Sequence, residues 1–254
     1  MPSLDRDGTR LHYEVHGSGP AILLTHGFSA TSGMWKPQIE ALSANHALVL
    51  WDLRGHGKSD SPEKPGDYDE ATTVADLGAL LDATGFERGV IGGLSLGGYM
   101  SLAFALDHPE RVDALIIADT GPGYRRDDKR EEWNEMAHRL ADRIARKGQD
   151  ALQRGGPEMR QSVHLDPRGV EMAARHTLTQ HTPRVLEGLP SIEAPALVVV
   201  GENDEQYLGS TDYMAAKIPH ATKVVIADAG HAVNIDQPEA FDRAVLEFLS
   251  ANRL

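Results

Sequence analysis

The chain has 254 residues, long enough for a single domain with a large buried core and an insertion. Its 25 Lys and Arg stand against 38 Asp and Glu, a formal charge of −13 that repels phosphate backbones and anionic lipid and so argues against nucleic acid or a membrane surface as partner. There is no cysteine, which excludes disulfides, thiolate metal sites and a cysteine nucleophile.

Met1 to Arg10 is charged and lacks the apolar stretch of a secretory signal, and no window approaches the roughly 18 uninterrupted apolar residues of a membrane span. A cytoplasmic protein is therefore expected. Ser3 to Asp5 and the alternating run Arg10 to His16, on either side of Asp7-Gly8, predict a hairpin at the sheet edge. Ala21 to Thr25 reads as a buried strand running into His26-Gly27-Phe28, and Trp35 to Ala44 as the first helix. Ala47 to Trp51 is a further continuous apolar run, the mark of a parallel strand covered on both faces, and it ends in the polar loop Asp52 to Ser59. Thr72 or Thr73 can cap a helix to about Thr84, with Val74, Leu77, Leu80 and Leu81 on one side.

Gly89 to Gly92 predicts a short buried strand and Tyr99 to Leu106 a helix. Between them, Gly93-Leu94-Ser95-Leu96-Gly97 places a serine on a strand-to-helix turn, where small neighbours leave room for the tight backbone of a nucleophile elbow. Pro109 stops the helix and Val112 to Ala118 supplies another strand. Alternating strands and helices to this point indicate a parallel sheet covered on both faces. From Gly121 to about Pro190 no strand is expected, and Arg130 to Lys147, Asp150 to Gly155 and Val170 to Gly188 read as charged helical stretches. Residues 121–190 are thus expected to form a helical cap inserted into a core of residues 1–120 and 191–254. Ala196 to Val200 resumes the sheet, followed by a helix from about Thr211 to Ile218 and a strand from Lys223 to Ala227. A last helix starts at Pro238, with Phe241, Val245, Phe248 and Leu249 on its apolar side.

In an open parallel sheet, ligands bind beyond the carboxyl ends of the strands, and His26, Asp52, Ser95, Asp119, Asp204 and His231 all fall there. A serine hydroxyl needs a base to become a nucleophile, an imidazole can be that base, and an acid must hold the imidazole in the right tautomer. Ser95, His231 and Asp204 supply the three types. Asp119 also follows a buried strand and is the alternative acid. The histidines His138, His164, His176 and His181 lack compact metal-ligand spacing and read as solvated helix faces. Trp133, Met136 and Leu140 lie at helical spacing and read equally as pocket lining or as the segment's own packing.

With the order Ser, Asp, His, the chain resembles the α/β-hydrolase superfamily over essentially its whole length. The matching stretches are His26-Gly27-Phe28, Asp52 to Ser59, Gly93 to Gly98, Gly201-Glu202-Asn203-Asp204, and Gly230-His231 followed by Gln237-Pro238-Glu239. The resemblance implies a mostly parallel eight-stranded sheet flanked by helices, with an inserted helical cap. It also implies an oxyanion hole made by the backbone amides of Leu96 and Phe28, and an acyl-enzyme on Ser95. Epoxide hydrolases and haloalkane dehalogenases of this superfamily carry aspartate at the elbow instead. Within it, the chain most resembles the group of 3-oxoadipate enol-lactonases and cofactor-free haloperoxidase-like esterases, so a small carboxylic ester or lactone is the expected substrate and no metal or organic cofactor is needed. A lactone bearing a carboxylate would want a cation, for which Arg125, Arg126 and Arg139 are candidates. Relatives that cleave or eliminate at a carbon centre share the same three residues and form the alternative; a ligand sensor retaining the fold is a further one. A homodimer is left open by the sequence.

Overall fold

Five consecutive residues without a polar interruption need cover on both faces, and the centre of the molecule is built from such runs. The computed structural model describes residues 2–152 and 155–254. Strands β1 (Ser3–Arg6) and β2 (Thr9–His16) form the expected hairpin. After them come β3 (Ala21–Thr25), β4 (Ala47–Trp51), β5 (Gly89–Leu94), β6 (Val112–Ala118), β7 (Ala196–Gly201) and β8 (Ala221–Ile226). Every residue of β3, β4, β5 and β7 is buried.

The strands make one eight-stranded sheet in the order β1-β2-β4-β3-β5-β6-β7-β8. β1 and β2 are antiparallel, β2 runs antiparallel to β4, and the remaining neighbours are parallel. The carboxyl ends of β3 to β7 therefore open on one edge, where the polar loops expected to carry chemistry emerge.

Helices cover both faces. Chain order gives α1 (Ile39–Ser43), α2 (Glu70–Ala83), α3 (Leu96–Asp107), α4 (Asp127–Lys147), α5 (Pro157–Arg160), α6 (Pro167–His176), α7 (Arg184–Gly188), α8 (Glu205–Lys217), α9 (Val233–Asp236) and α10 (Pro238–Ala251). One core lies on the side of α2, α3 and α8, with Leu77, Leu81, Met100, Phe104 and Met214 against Ile91 and Val198. The other lies on the side of α1 and α10, with Leu42, Phe241, Val245 and Leu249 against Leu24, Leu50 and Val199. A third, small cluster of Ala141, Ile144, Leu152, Val170 and Ala174 is internal to the segment between β6 and β7.

Several helix bounds differ from the sequence reading. α2 starts before Thr72, because the Asp69 carboxylate accepts from the Thr72 amide at 2.7 Å and takes the capping role. The first helical stretch is a 3-10 turn, Ser32–Gln38, containing Pro37, and only then α1. The stretch Val170 to Gly188 is two helices, α6 and α7. Thr177 caps α6 and turns its hydroxyl to the Tyr68 carbonyl at 2.6 Å, while Pro183 disfavours helix just before α7. The stretch Asp150 to Gly155 begins in a 3-10 turn, Gly148–Ala151, and its positions 153 and 154 lie outside the described residues. α3 starts at Leu96 rather than Tyr99, and α8 at Glu205 rather than Thr211. No helix among the described residues is long and apolar enough to cross a membrane.

Candidate active site

Ser95 follows β5 and caps α3 with φ 55° and ψ −116°, a conformation that side chains beyond glycine rarely adopt. The turn closes because its amide donates to the Ala118 carbonyl at 2.9 Å, while a side-chain carbon at Gly93 or Gly97 would run into the backbone of Gly97 or Thr25 respectively. The glycines thus serve close approach. Leu96 is the first residue of α3, so its amide has no acceptor within the helix.

His231 lies in the loop between β8 and α9, and Asp204 between β7 and α8. The His231 Nδ1 is 2.7 Å from the Asp204 Oδ2. Burial depresses the basicity of His231, but the hydrogen bond and charge of Asp204, with the charges of Asp119 and Glu158, outweigh it and raise the pKa above the ordinary 6.5. Asp119, the alternative acid, is fully buried and otherwise engaged: it accepts from the Gly201 amide at 2.9 Å and the Val233 amide at 3.2 Å, tying the loop of Asp204 to that of His231. Burial, opposed by the Gly201 amide, pushes its carboxyl up to about 8.

His26, Asp52 and His56 are buried in the loops after β3 and β4. Asp52 accepts from the Ser32 amide at 2.7 Å and the Lys58 amide at 2.8 Å, and His26 bonds Gly27 and Leu53, so these groups brace the loops after β3 and β4. Phe28, half-buried, sets its ring edge-on to His56 at 5.7 Å.

A pocket of about 70 Å³ is lined in part by Ser95. Leu96, Tyr99, Thr120, Tyr207 and Ser210 line it from the sheet side, and Tyr124, Trp133 and Leu178 to Gln180 from the segment between β6 and β7. The Trp133 Nε1 donates to the Leu178 carbonyl at 2.8 Å, and Asn134 bonds both the amide and the carbonyl of Gln180, fixing this wall. Of the three residues at helical spacing, Trp133 lines the pocket, while Leu140 packs on the segment's own core. Arg125, Arg126 and Arg139 are exposed and do not line it; Arg126 pairs with Asp128 and Arg139 with Glu135. The expected cation is thus not found among the described lining residues.

The sequence reading missed one residue, Tyr207, and misread another, His164. Tyr207 stacks on the His231 ring, centroids 5.1 Å apart and planes at 25°. It follows Asp204 by one helical turn, a spacing that would have pointed to it had α8 been started at Glu205. His164 is buried and bonded rather than on a solvated helix face. No group of three metal-ligating side chains stands together among the described residues.

A family model described as the α/β hydrolase fold matches residues 20–154, more than half of the chain. The chain belongs to that family. A thermophilic esterase from Thermogutta terrifontis is 32% identical, with a TM-score of 0.84 over 99% of this chain and 97% of its own. An enol-lactonase from Burkholderia xenovorans LB400 is 28% identical, with a TM-score of 0.79 over 98% of this chain and all of its own. In sequence, 3-oxoadipate enol-lactonase 1 of Acinetobacter baylyi is 27% identical over 93% of this chain and 92% of its own.

Proposed function

We propose that this α/β hydrolase cleaves a small, uncharged carboxylic ester or lactone through an acyl-enzyme on Ser95. The observation that carries the reading is the 2.7 Å contact of His231 Nδ1 with Asp204, in a fold that also presents Ser95 on a strained strand-to-helix turn lining a pocket. His231 takes the Ser95 proton as the oxygen attacks the carbonyl carbon. The carbonyl oxygen becomes an oxyanion held by the Leu96 and Phe28 amides, and collapse expels the alcohol, which receives the proton from His231. Water, deprotonated by His231, then attacks the acyl carbon; collapse expels the Ser95 oxygen, which takes the proton back from His231, and the acid leaves.

Residues 121–190 act as the cap that selects the acyl group, with Tyr124, Trp133 and Leu178 as its wall. The described lining residues carry hydroxyls, amides and aromatic rings but no ionised side chain, which supports an uncharged substrate over a carboxylate-bearing one, since a buried carboxylate without a cation is costly.

The test is a panel of p-nitrophenyl esters, lactones and dienoates, run on wild type and Ser95→Ala with intact mass spectrometry. Wild type is expected to give a burst on p-nitrophenyl acetate and one acyl group on Ser95, and Ser95→Ala to lose roughly 10⁴-fold or more in kcat. Full hydrolysis by Ser95→Ala, or turnover confined to the dienoates, would sink the reading.

A further inference from the structure

The loop after β3 is held by three imidazoles, and one of them comes from the segment between β6 and β7. His26 Nδ1 donates to the Gly27 carbonyl at 2.7 Å, and its Nε2 accepts from the Leu53 amide at 3.0 Å. His56 Nδ1 donates to the Arg54 carbonyl at 3.0 Å, and its Nε2 accepts from the Ser29 amide at 3.1 Å. His164 Nε2 donates to the Ser29 carbonyl at 3.1 Å, and its Nδ1 accepts from the Gly57 amide at 3.0 Å. A carbonyl can only accept and an amide can only donate, so each ring has one tautomer open to it and each must be neutral. The rings touch in sequence, His26 to His56 at 5.1 Å and His56 to His164 at 5.6 Å between centroids.

Phe28 sits between the residues these bonds hold. Gly27 is bonded on one side of it and both the amide and the carbonyl of Ser29 on the other, and Ser29 has φ 55°, a strained value that needs outside support. The Leu165 amide also donates to the Gly57 carbonyl at 3.0 Å, so residues 164–165 grip the loop after β4 by two bonds.

We propose that His164 is a positioning residue for the oxyanion hole: through its bond to the Ser29 carbonyl, the inserted segment sets the direction of the Phe28 amide. The inference rests on the reading of Ser95 as an acylated nucleophile. It makes the segment part of the rate-determining geometry as well as a wall for the substrate.

Two variants divide the two bonds of the ring. Asparagine at 164 can place an acceptor where Nδ1 stands, keeping the Gly57 bond and losing the donor to Ser29; glutamine can place a donor where Nε2 stands, keeping the Ser29 bond. His164→Asn is expected to lower kcat by about tenfold to a hundredfold, the scale of a misplaced catalytic donor, with KM changed by less than about threefold. Affinity for a trifluoromethyl ketone, which forms the tetrahedral adduct, should fall in parallel. His164→Gln should recover most of that loss. Exchange of the Ser29 amide, read by NMR, should speed by about tenfold in His164→Asn and much less in His164→Gln.

Wild-type kcat and ketone affinity in His164→Asn would overturn the proposal. So would equal losses in both variants accompanied by a shared drop in Tm, which would make His164 an anchor of the segment alone. The exchange measurement does not depend on ester chemistry: a faster Ser29 amide in His164→Asn beside a wild type that never acylates Ser95 would support the loop contact and overturn the esterase reading.

Discussion

At the scale of single residues, the contact between His231 and Asp204 sets the pH behaviour. In the proposed mechanism His231 must be neutral to accept the Ser95 proton, and Asp204 outweighs burial and raises its pKa above 6.5. The acidic limb of kcat/KM is therefore expected to fall at a pH above 6.5. Asp204→Asn should lower kcat by about 10³ to 10⁴-fold, through loss of the tautomer control, which initial rates across pH would show. In stability the sign is fixed by the same shift: a histidine whose folded pKa is raised contributes stability in full below its unfolded value, and loses it as pH rises through the folded one. The strained turn at Ser95 and the pairing of Asp204 with His231 were legible in the sequence because the serine and the aspartate follow fully buried strands and the serine stands between glycines that its turn needs. Tyr207 and His164 were not, since their meaning lies in contacts with a ring or a carbonyl far away in the chain: His164 meets Ser29 across 135 positions.

Elements show the same division between local and distant causes. The central strands were readable because continuous apolar runs leave few alternatives, whereas helix starts depend on which side chain wins the cap, and Asp69 won over Thr72 and Thr73. The division of the segment into α6 and α7 has a local cause in Pro183 and a distant one in the Tyr68 carbonyl, which takes the Thr177 hydroxyl. The loops after β3 and β4 and the stretch before α6 are locked by neutral His26, His56 and His164, all with pKa values lowered first by burial; that of His164 falls to about 4. Asp52 faces His26 and His164 and works against the shift, while the like charges of the neighbouring imidazoles reinforce it in His56 and His164. For a depressed folded pKa, stability is full above 6.5 and is lost as pH falls toward 4, because the unfolded chain takes up the protons first. Each such histidine contributes at most about 1.4 kcal/mol per pH unit in that window. His164→Gln should make the fall of Tm between pH 6.5 and 4 shallower by about 2–4 °C per pH unit, measured by calorimetry. Comparing the two proteins at each pH also removes Asp119, whose raised pKa slopes the other way.

For the whole molecule the governing quantity is charge. The formal −13 includes Asp204 against His231, while the described pocket lining offers no cation in return. An ester carrying a free carboxylate is therefore repelled over distance and gains no partner on arrival, whereas a neutral ester of the same size feels neither effect. Long-range repulsion is removed by salt: the Debye length falls from about 30 Å at 0.01 M to about 8 Å at 0.15 M. Raising the ionic strength across that range should increase kcat/KM for the anionic ester by about threefold to tenfold and leave the neutral ester within about 1.5-fold, with initial rates of both substrates as the measurement. The opposite slope, an anionic ester that slows as salt is added, would mean that a cation meets the substrate in the pocket and would refute the uncharged-substrate reading. Because long-range repulsion acts before the substrate is bound, its effect belongs in kcat/KM; a salt response confined to kcat would place its origin in the acylation or deacylation step instead.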